Sequence, residues 1–242
     1  MDERVQTVVL CGGRGHRLRQ LTEDTPKVLV EVGGRPVLWH IMKMFAAAGC
    51  RDFMLALGYR GEDIRNRFGE DAARPGEWRV DLVDTGDDTG SGGRIKRLES
   101  RIHGDQFYVA YGDGLSNIDL RALLAAHRAN RTVATMTVVR PRLPFGLVEL
   151  GDRDTVVGFA EKPRMDAWIN GGFFVFDRAA FDYLDPDGML EETPLQRMAA
   201  DGQLAAYRHD GYWECMDTFK DVLELNAAWD SGEAPWRTWR DD

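Results

Sequence analysis

The sequence has few cysteines, no long apolar run and an excess of negative charge. Its three cysteines, Cys11, Cys50 and Cys215, are odd in number and widely spaced, so we expect reduced thiols and a cytoplasmic protein rather than a disulfide framework. No apolar stretch approaches the roughly 18 residues of a membrane helix, and the acidic N-terminus does not resemble a secretory signal. The formal net charge of −9 argues against nucleic acid or an acidic membrane as a partner.

The first 60 residues alternate between strand and helix signals. The segment TVVLCGG predicts a buried strand that enters a turn, and DFMLALGY predicts a second strand. Between them, GRPVLWHIMKMFAAAG predicts a helix with Pro36 in its first turn and Gly49 at its C-cap. This order is typical of an α/β fold with a Rossmann-like, mostly parallel sheet flanked by helices.

The later part of the chain is richer in short β segments. VLVEV at 28–32 predicts a short strand, and NIDLRALLAAHRAN predicts a helix capped by Asn117 with His127 as a core residue. From residue 145 onward, GLVEL, VVGFAEKP and GGFFVF are separated by glycines. We therefore predict a single domain over residues 1–242, with a nucleotide-type core at 1–140 and a β-rich part at 141–242.

A basic, glycine-rich loop follows the first predicted strand. The stretch CGGRGHRL combines three glycines with Arg14, His16 and Arg17, and bare backbone N–H groups at a strand exit bind anions such as phosphate. Neither familiar phosphate loop fits, because Leu18 replaces the third glycine of the Rossmann fingerprint and the Gly-Lys-Ser/Thr of a Walker A loop is absent. A nucleophilic role for Cys11 would need a partner base, and none is apparent beside it.

Three other charged residues follow predicted strands or turns. Lys27 follows Pro26 in TPKVLVEV, and we expect its ammonium to reach back to phosphates on the glycine loop. Asp113 in YGDG ends an apolar strand, at the edge where ligands of open α/β sheets bind, and a carboxylate there can hold Mg²⁺. Asp217 in WECMDT either binds the same metal or caps the last helix.

Two motifs in the β-rich part suit a phosphorylated polyol. In FAEKP, Glu161 and Lys162 offer a hydroxyl acceptor and a cation on adjacent residues of a predicted strand. In WINGG, the amide of Asn170 stands beside the bare backbone of Gly171 and Gly172. We interpret residues 141–242 as a sugar-phosphate-binding part.

Taken in order, these motifs resemble those of the sugar-1-phosphate nucleotidylyltransferases over nearly the whole chain. Within that family, the sequence looks most like the enzymes that use CTP and glucose 1-phosphate. That likeness is carried by LWHIMKMF, LVDTGDDTGSGGRIKRL, INGGFFV and APWRTW. The resemblance implies a nucleotide-diphospho-sugar transferase fold, with a Rossmann-like core and a β-rich sugar-binding extension.

The resemblance also implies roles for individual residues. Arg17 and Lys27 would be catalytic, and Asp113 and Asp217 would hold Mg²⁺. The implied nucleotide-binding residues are Leu10, Cys11, Gly12, Gly13, Arg14, Gly15, His16, Arg17, Lys27, Thr89, Arg94 and Gly112. The implied sugar-phosphate-binding residues are Gly146, Glu161, Lys162, Asn170 and Gly171.

In the implied reaction, an oxygen of the sugar phosphate attacks the α-phosphorus of CTP and pyrophosphate leaves. Other readings are a different nucleotide such as dTTP or UTP, another sugar phosphate, a metal-dependent glycosyltransferase, a nicotinamide-dependent oxidoreductase, or a non-catalytic sensor. A sensor should have lost Arg17, Lys27 or Asp113, and all three are present. The segment between GYRGEDI and WRVDLVDTG is shorter than in the cytidylyltransferases, so the base and the formation of a homo-oligomer stay open.

Overall fold

A seven-stranded mixed sheet forms the centre of the protein. The computed structural model describes residues 5–15, 25–69 and 78–239. The strands in these residues are β1 (Gln6–Leu10), β2 (Glu31–Val32), β3 (Arg35–Pro36), β4 (Asp52–Leu57), β5 (Arg79–Asp84), β6 (Gln106–Tyr111), β7 (Gly114–Ser116), β8 (Ala134–Val139), β9 (Leu147–Leu150), β10 (Val156–Ala160), β11 (Ile169–Asp177), β12 (Leu204–His209) and β13 (Trp213–Cys215). The α-helices there are α1 (Val37–Ala47), α2 (Gly61–Phe68), α3 (Ser91–Lys96), α4 (Leu120–Asn130), α5 (Thr193–Ala200) and α6 (Phe219–Asp230). None of these helices has the length and apolar character needed to cross a membrane.

The antiparallel direction of β11 brings its amino end next to the carboxyl end of β6. Across the sheet the order is β12-β8-β11-β6-β1-β4-β5. Strands β1, β4, β5 and β6 are parallel, whereas β11 runs antiparallel to both of its neighbours, β6 and β8. The carboxyl end of β6 therefore lies at the same edge as the amino end of β11. This edge brings Asp113, just after β6, towards Asn170 and Gly171.

Both faces of the sheet are covered by helices. Val9 and Phe173 belong to a buried cluster that includes residues of α1, α4 and α6, whereas Val8 and Phe174 belong to a second cluster that includes residues of α3 and α5. Side chains of successive strand residues point to opposite faces, so near-continuous apolar strands need cover on both sides. The predicted fold class, a mostly parallel sheet flanked by helices, is confirmed.

A cage of tryptophans around His40 fixes the C-terminal segment onto α1. The rings of Trp229, Trp236 and Trp239 lie with their centroids 4.8–6.1 Å from that of His40. His40 Nε2 donates to the carbonyl of Val32 at 2.8 Å, and its Nδ1 accepts from Trp236 Nε1 at 3.3 Å. Burial lowers the pKa of His40 to about 4, so the ring is neutral, as this pair of hydrogen bonds requires.

The predicted strand VLVEV is wrong in part. Residues Lys27–Leu29 form one turn of 3₁₀ helix, and only Glu31–Val32 are extended and paired with Arg35–Pro36. Gly33 and Gly34 both have positive φ and reverse the chain at once, which leaves room for only two paired residues. The short turn matters for the site because it aims the side chain of Lys27.

The predicted cap of α4 is also wrong, whereas the prediction for His127 is confirmed. The N-cap is Asp119, whose carboxylate accepts from the backbone of Ala122 at 3.0 Å, and Asn117 instead accepts from the backbone of Tyr212. His127 is buried, with its ring nitrogens 3.0 Å from the Thr135 hydroxyl and 3.1 Å from Asp177. It is a satisfied core histidine.

The two predicted parts of the chain share the central sheet. Strands β1, β4, β5, β6 and β8 come from residues before 140, whereas β11 and β12 come from residues after it. The boundary at residue 140 stays a prediction.

Candidate active site

Lys27 lies between two carboxylates at the carboxyl edge of the sheet. Its Nζ is 2.6 Å from Asp113 Oδ2 and 2.5 Å from Asp217 Oδ1. Strand β13 pairs antiparallel with β7, with Cys215 opposite Gly114, and this pairing carries Asp217 next to Asp113. The backbone of Met216 also donates to the carbonyl of Asp113 at 2.9 Å. Three distant segments of the sequence therefore meet at one ammonium group.

The cluster is partly buried, and its charges support one another. The Lys27 side chain is 14% exposed, and the Asp113 and Asp217 side chains are each 24% exposed. Burial lowers the pKa of the Lys27 ammonium, but the two carboxylates more than offset this, so its pKa lies above the ordinary value. Lys27 is thus protonated and positively charged beside the two carboxylates.

The carboxylate pair fits a divalent cation. Within the described ranges, Asp113, Cys215 and Asp217 are the group of three metal-ligand residues whose donor atoms all lie within 4.8 Å of one another. Carboxylate oxygens are ligands for hard divalent ions. Burial, and then the charge of Asp113, raise the pKa of the Cys215 thiol, which keeps the sulfur neutral beside the pair. Asp113 and Asp217 are therefore the residues that would hold the ion.

Asp217 is not the cap of the last helix. The N-cap of α6 is Thr218, whose hydroxyl accepts from the backbone of Asp221, while the Asp221 carboxylate accepts from the backbone of Thr218. This reciprocal capping box satisfies the helix start without the Asp217 side chain. Of the two predicted roles for Asp217, the role of helix cap is wrong, because Thr218 is the N-cap.

Arg94 lies beneath the glycine-rich loop rather than on its open side. The residue is 5% exposed. Its guanidinium donates five hydrogen bonds of 2.7–3.2 Å. The acceptors are the carbonyls of Gly12, Leu57, Gly86 and Asp87 and the hydroxyl of Thr85. A Cβ at Gly12 would lie 2.1 Å from the guanidinium carbon, so only glycine allows the loop to rest on this side chain. Arg94 ties the exits of β1 and β4 together.

The other described residues that were predicted to bind the nucleotide differ in their exposure to solvent. Arg14 is exposed, pairs with Asp88 at 3.1 Å and lies over the Tyr59 ring, whereas Thr89 is buried and donates to the carbonyl of Thr85. Cys11 is buried with its Sγ 3.4 Å from the Val9 carbonyl, and burial raises the pKa of its thiol far above the ordinary value, which argues against a nucleophilic role. Gly13 and Gly15 are part of the described loop, whereas His16 and Arg17 lie outside the described residues.

Gly112 lets the exit of β6 pack tightly between Leu10 and the Lys27 turn. A Cβ at this position would lie 2.6 Å from the Leu10 carbonyl oxygen and 2.5 Å from Val28. A larger residue would push Asp113 away from Lys27. This is the close backbone approach for which glycine is required.

Asn170 and Gly171 lie at the same edge as the carboxylate pair. Asn170 Nδ2 donates to the hydroxyl of Tyr111 at 3.0 Å, and its Oδ1 accepts from the backbone of Gly172 at 2.8 Å. The Gly171 carbonyl accepts from Trp213 Nε1 at 2.8 Å. These contacts join the start of β11 to the ends of β6 and the start of β13.

Glu161, Lys162 and Gly146 flank a separate ribbon formed by β9 and β10. Strand β10 ends at Ala160, so Glu161 and Lys162 follow the strand and are not part of it, contrary to the prediction. A Cβ at Gly146 would meet Phe159 at 2.5 Å and the Glu161 carboxylate at 3.2 Å. Gly146 and Glu161 thus meet beside the ribbon, and their approach to the carboxylate pair, with that of Lys162, stays a prediction.

The sequence matches one protein family over most of its length. Residues 6–231 fit the family described as nucleotidyl transferase. The chain belongs to the nucleotidyl transferase family. It is 40% identical to a protein of Bacillus subtilis named probable glucose-1-phosphate cytidylyltransferase, over 97% of this chain and 100% of that one. It is 39% identical to the glucose-1-phosphate cytidylyltransferase of Salmonella typhi, with the same coverage.

The fold of this nucleotidyl transferase also recurs in solved structures. A crystal structure of a putative glucose-1-phosphate thymidylyltransferase from Bacillus anthracis superposes with a TM-score of 0.73, covering 98% of each chain at 22% identity. At 22% identity, the two proteins share the fold but most of their side chains differ.

Four side chains near the site of this nucleotidyl transferase were missed by sequence reasoning. They are Ser91, Tyr111, Glu191 and Cys215. Cys215 and Tyr111 lie two residues before Asp217 and Asp113, so their nearness could have been inferred from the strand ends. Nothing local in EETPLQ distinguishes Glu191 from a solvated helix-start residue, because its partner Tyr111 lies 80 residues away.

We expect Arg94→Lys to lower the free energy of unfolding of this nucleotidyl transferase by at least about 2 kcal/mol, since several buried carbonyls lose their donor. Urea unfolding followed by circular dichroism measures the change. Arg101→Lys is the matched control, because it weakens only an exposed ion pair with Asp81 and should cost less than about 1 kcal/mol. Equal, small losses in both variants would show that Arg94 does not hold the loop.

Proposed function

We propose that the protein transfers the cytidylyl group of CTP to a sugar 1-phosphate, with glucose 1-phosphate as the substrate, to give CDP-glucose and pyrophosphate. The observation that carries this proposal is the Lys27 ammonium held by Asp113 and Asp217 at the carboxyl edge of the sheet. Family membership gives the reaction class, and the names of the 39–40% identical relatives support the nucleotide and the sugar. Another nucleotide, such as dTTP or UTP, is the alternative.

The reaction needs no protein nucleophile. A phosphate oxygen of the sugar substrate forms a bond to the α-phosphorus of CTP, and the bond from that phosphorus to the bridging oxygen of the β-phosphate breaks. The difficulty is that two anions must approach, and two unit charges about 4 Å apart repel by about 4 kcal/mol at an effective dielectric of roughly 20. The chain must therefore supply positive charge and hold the two substrates in line.

Lys27 supplies one such charge from a defined position. Its ammonium has three N–H donors, and two of them are directed at Asp113 and Asp217. We assign the remaining donor to a substrate phosphate oxygen. Arg17 is assigned to the departing pyrophosphate, and the backbone of residues 10–15 with His16 is assigned to the triphosphate.

Asp113 and Asp217 are assigned to Mg²⁺, which when bound supplies charge neutralisation and orientation for the phosphate oxygens. Thr89, Arg94 and Gly112 would hold the backbone around the nucleotide in place. Arg94 supports the loop carbonyls, and Gly112 permits the close approach of β6 to β1. Gly146, Glu161, Lys162, Asn170 and Gly171 are assigned to the sugar phosphate.

The substrate assignment is tested by a pyrophosphate-release screen. CTP, UTP, dTTP, ATP and GTP are each combined with glucose 1-phosphate, mannose 1-phosphate and galactose 1-phosphate in the presence of Mg²⁺. We expect CTP with glucose 1-phosphate to have the highest kcat/KM. Pyrophosphate release with another nucleotide only would contradict the cytidylyl assignment, and hydrolysis or transfer from a CDP-sugar without any pyrophosphate would indicate a glycosyltransferase instead.

We also propose that the β9–β10 ribbon is covered by a second copy of the chain. Seven apolar side chains of this ribbon and its base are 45–76% exposed. They are Phe145, Leu147, Val148, Leu150, Val156, Val157 and Phe159. Exposed apolar side chains that lie together in this way mark a surface for protein–protein contact. Gly146 and Glu161, which we assign to the sugar phosphate, flank the ribbon, so an interface with a second copy would lie beside the sugar-phosphate-binding part.

Size-exclusion chromatography with light scattering measures this self-association. We expect a dimer or larger assembly in the micromolar range, and a monomer for Leu150→Lys combined with Val156→Lys, a cross-strand pair on the ribbon. Leu223→Lys, on α6, is the control because that side chain is 54% exposed elsewhere, and it should not change the assembly. A monomeric wild-type protein, or an assembly that survives the double variant, would contradict the proposal.

A further inference from the structure

A chain of hydrogen bonds runs along the sheet edge beside the carboxylate pair. Tyr111, the last residue of β6, donates its hydroxyl proton to Glu191 Oε1, and it accepts from Asn170 Nδ2 at 3.0 Å. Glu191 Oε2 accepts from Ser91 Oγ at 2.6 Å, and Ser91 Oγ accepts from the backbone of Leu190 at 2.8 Å. Four side chains from four separate elements are thus connected.

The direction of each bond in this chain is determined by its ends. A carboxylate only accepts, so the Tyr111 hydroxyl must donate to Glu191, and its lone pairs are then available for the Asn170 amide. The Asn170 oxygen is already used by the backbone of Gly172. The amide therefore cannot flip.

The fixed orientation leaves Asn170 with a donor to offer. An amide NH₂ has two N–H groups, and one of them is directed at Tyr111. The other has no partner among the described residues. A hydroxyl oxygen of a hexose can accept this hydrogen bond, whereas an amide rotated by 180° would present its oxygen instead.

The other end of the chain reaches the nucleotide side. Ser91 is the first residue of α3, the helix that carries Arg94 and so supports the glycine loop. The loop before Glu191 packs directly on this helix, since the backbone of Gly90 donates to Asp187 and that of Gly93 donates to Gly188. A Cβ at Gly90 would lie only 2.5 Å from the Gly188 carbonyl oxygen, so the two segments are in close contact.

We propose that Tyr111 and Glu191 are positioning residues for the sugar substrate, which hold the Asn170 amide in the orientation that donates to a sugar hydroxyl. This inference rests on the proposed function, because it requires a sugar 1-phosphate at this edge. Neither residue is assigned a contact with the reacting phosphates. Their effect is on binding of the sugar, through Asn170.

Calorimetric titration tests the proposal without relying on turnover. Glucose 1-phosphate is titrated into the protein with Mg²⁺ and a saturating non-hydrolysable CTP analogue, and the analogue is titrated separately. We expect Tyr111→Phe to weaken glucose 1-phosphate binding about 5- to 10-fold, as for one lost hydrogen bond, and Glu191→Gln to weaken it less, with CTP-analogue binding within about 2-fold of wild type.

Two further variants separate positioning from general damage. Tyr183→Phe is the matched control, because Tyr183 also donates to a carboxylate, Asp201, at 3.0 Å but lies away from this edge, and it should change neither affinity. Since Tyr111 acts through Asn170, Asn170→Ala combined with Tyr111→Phe should bind glucose 1-phosphate no more weakly than Asn170→Ala alone.

The outcomes distinguish this inference from the proposed function. A wild-type protein that binds neither ligand would overturn both. A wild-type protein that binds both ligands, with Tyr111→Phe unchanged, would overturn the positioning role and leave the function intact. Equal weakening of both ligands by Tyr111→Phe, or additive losses in the double variant, would also overturn it, because either result indicates a general structural effect.

Discussion

The contact of the Lys27 ammonium with Asp113 and Asp217 is the interaction on which the site depends. Two carboxylates with donor atoms within 4.8 Å would repel each other at a partly buried edge, and the cation between them removes that repulsion. The same two carboxylates are the ones that we assign to a divalent ion. Gly112 and the 3₁₀ turn at Lys27 serve this contact, because each brings its segment close enough for the three charges to meet.

The topology of the sheet then places Asn170 and Gly171, which we assign to the sugar, at the same edge as this cluster. Because β11 runs antiparallel to β6, Asn170 near the start of β11 lies at the edge where Asp113 follows the end of β6. Arg94 supports the glycine-rich loop, because its buried guanidinium donates hydrogen bonds to the carbonyls of both Gly12 and Leu57. The residues that we assign to the two substrates thus lie near strand ends, which suits the proposed in-line transfer between two bound phosphates.

Sequence reasoning predicted the mostly parallel sheet and the position of Asp113 at the end of an apolar strand, because strand periodicity and strand ends carry those signals. The contact of Lys27 with phosphates stays a prediction, and its contacts with two carboxylates that lie 86 and 190 residues away were not foreseen. The buried role of Arg94 and the link from Tyr111 to Glu191 also went unseen. Such contacts depend on side-chain directions between distant segments, which no local pattern encodes.

The central claim, that Lys27 and Asp113 act as one unit in the reaction, is tested most directly by the kcat of Lys27→Gln, Asp113→Asn and the double variant, measured as pyrophosphate release from CTP and glucose 1-phosphate. The account predicts a loss of about 10²- to 10³-fold in each single variant and little further loss in the double variant. A folded single variant that retains a kcat within about 3-fold of wild type would contradict it.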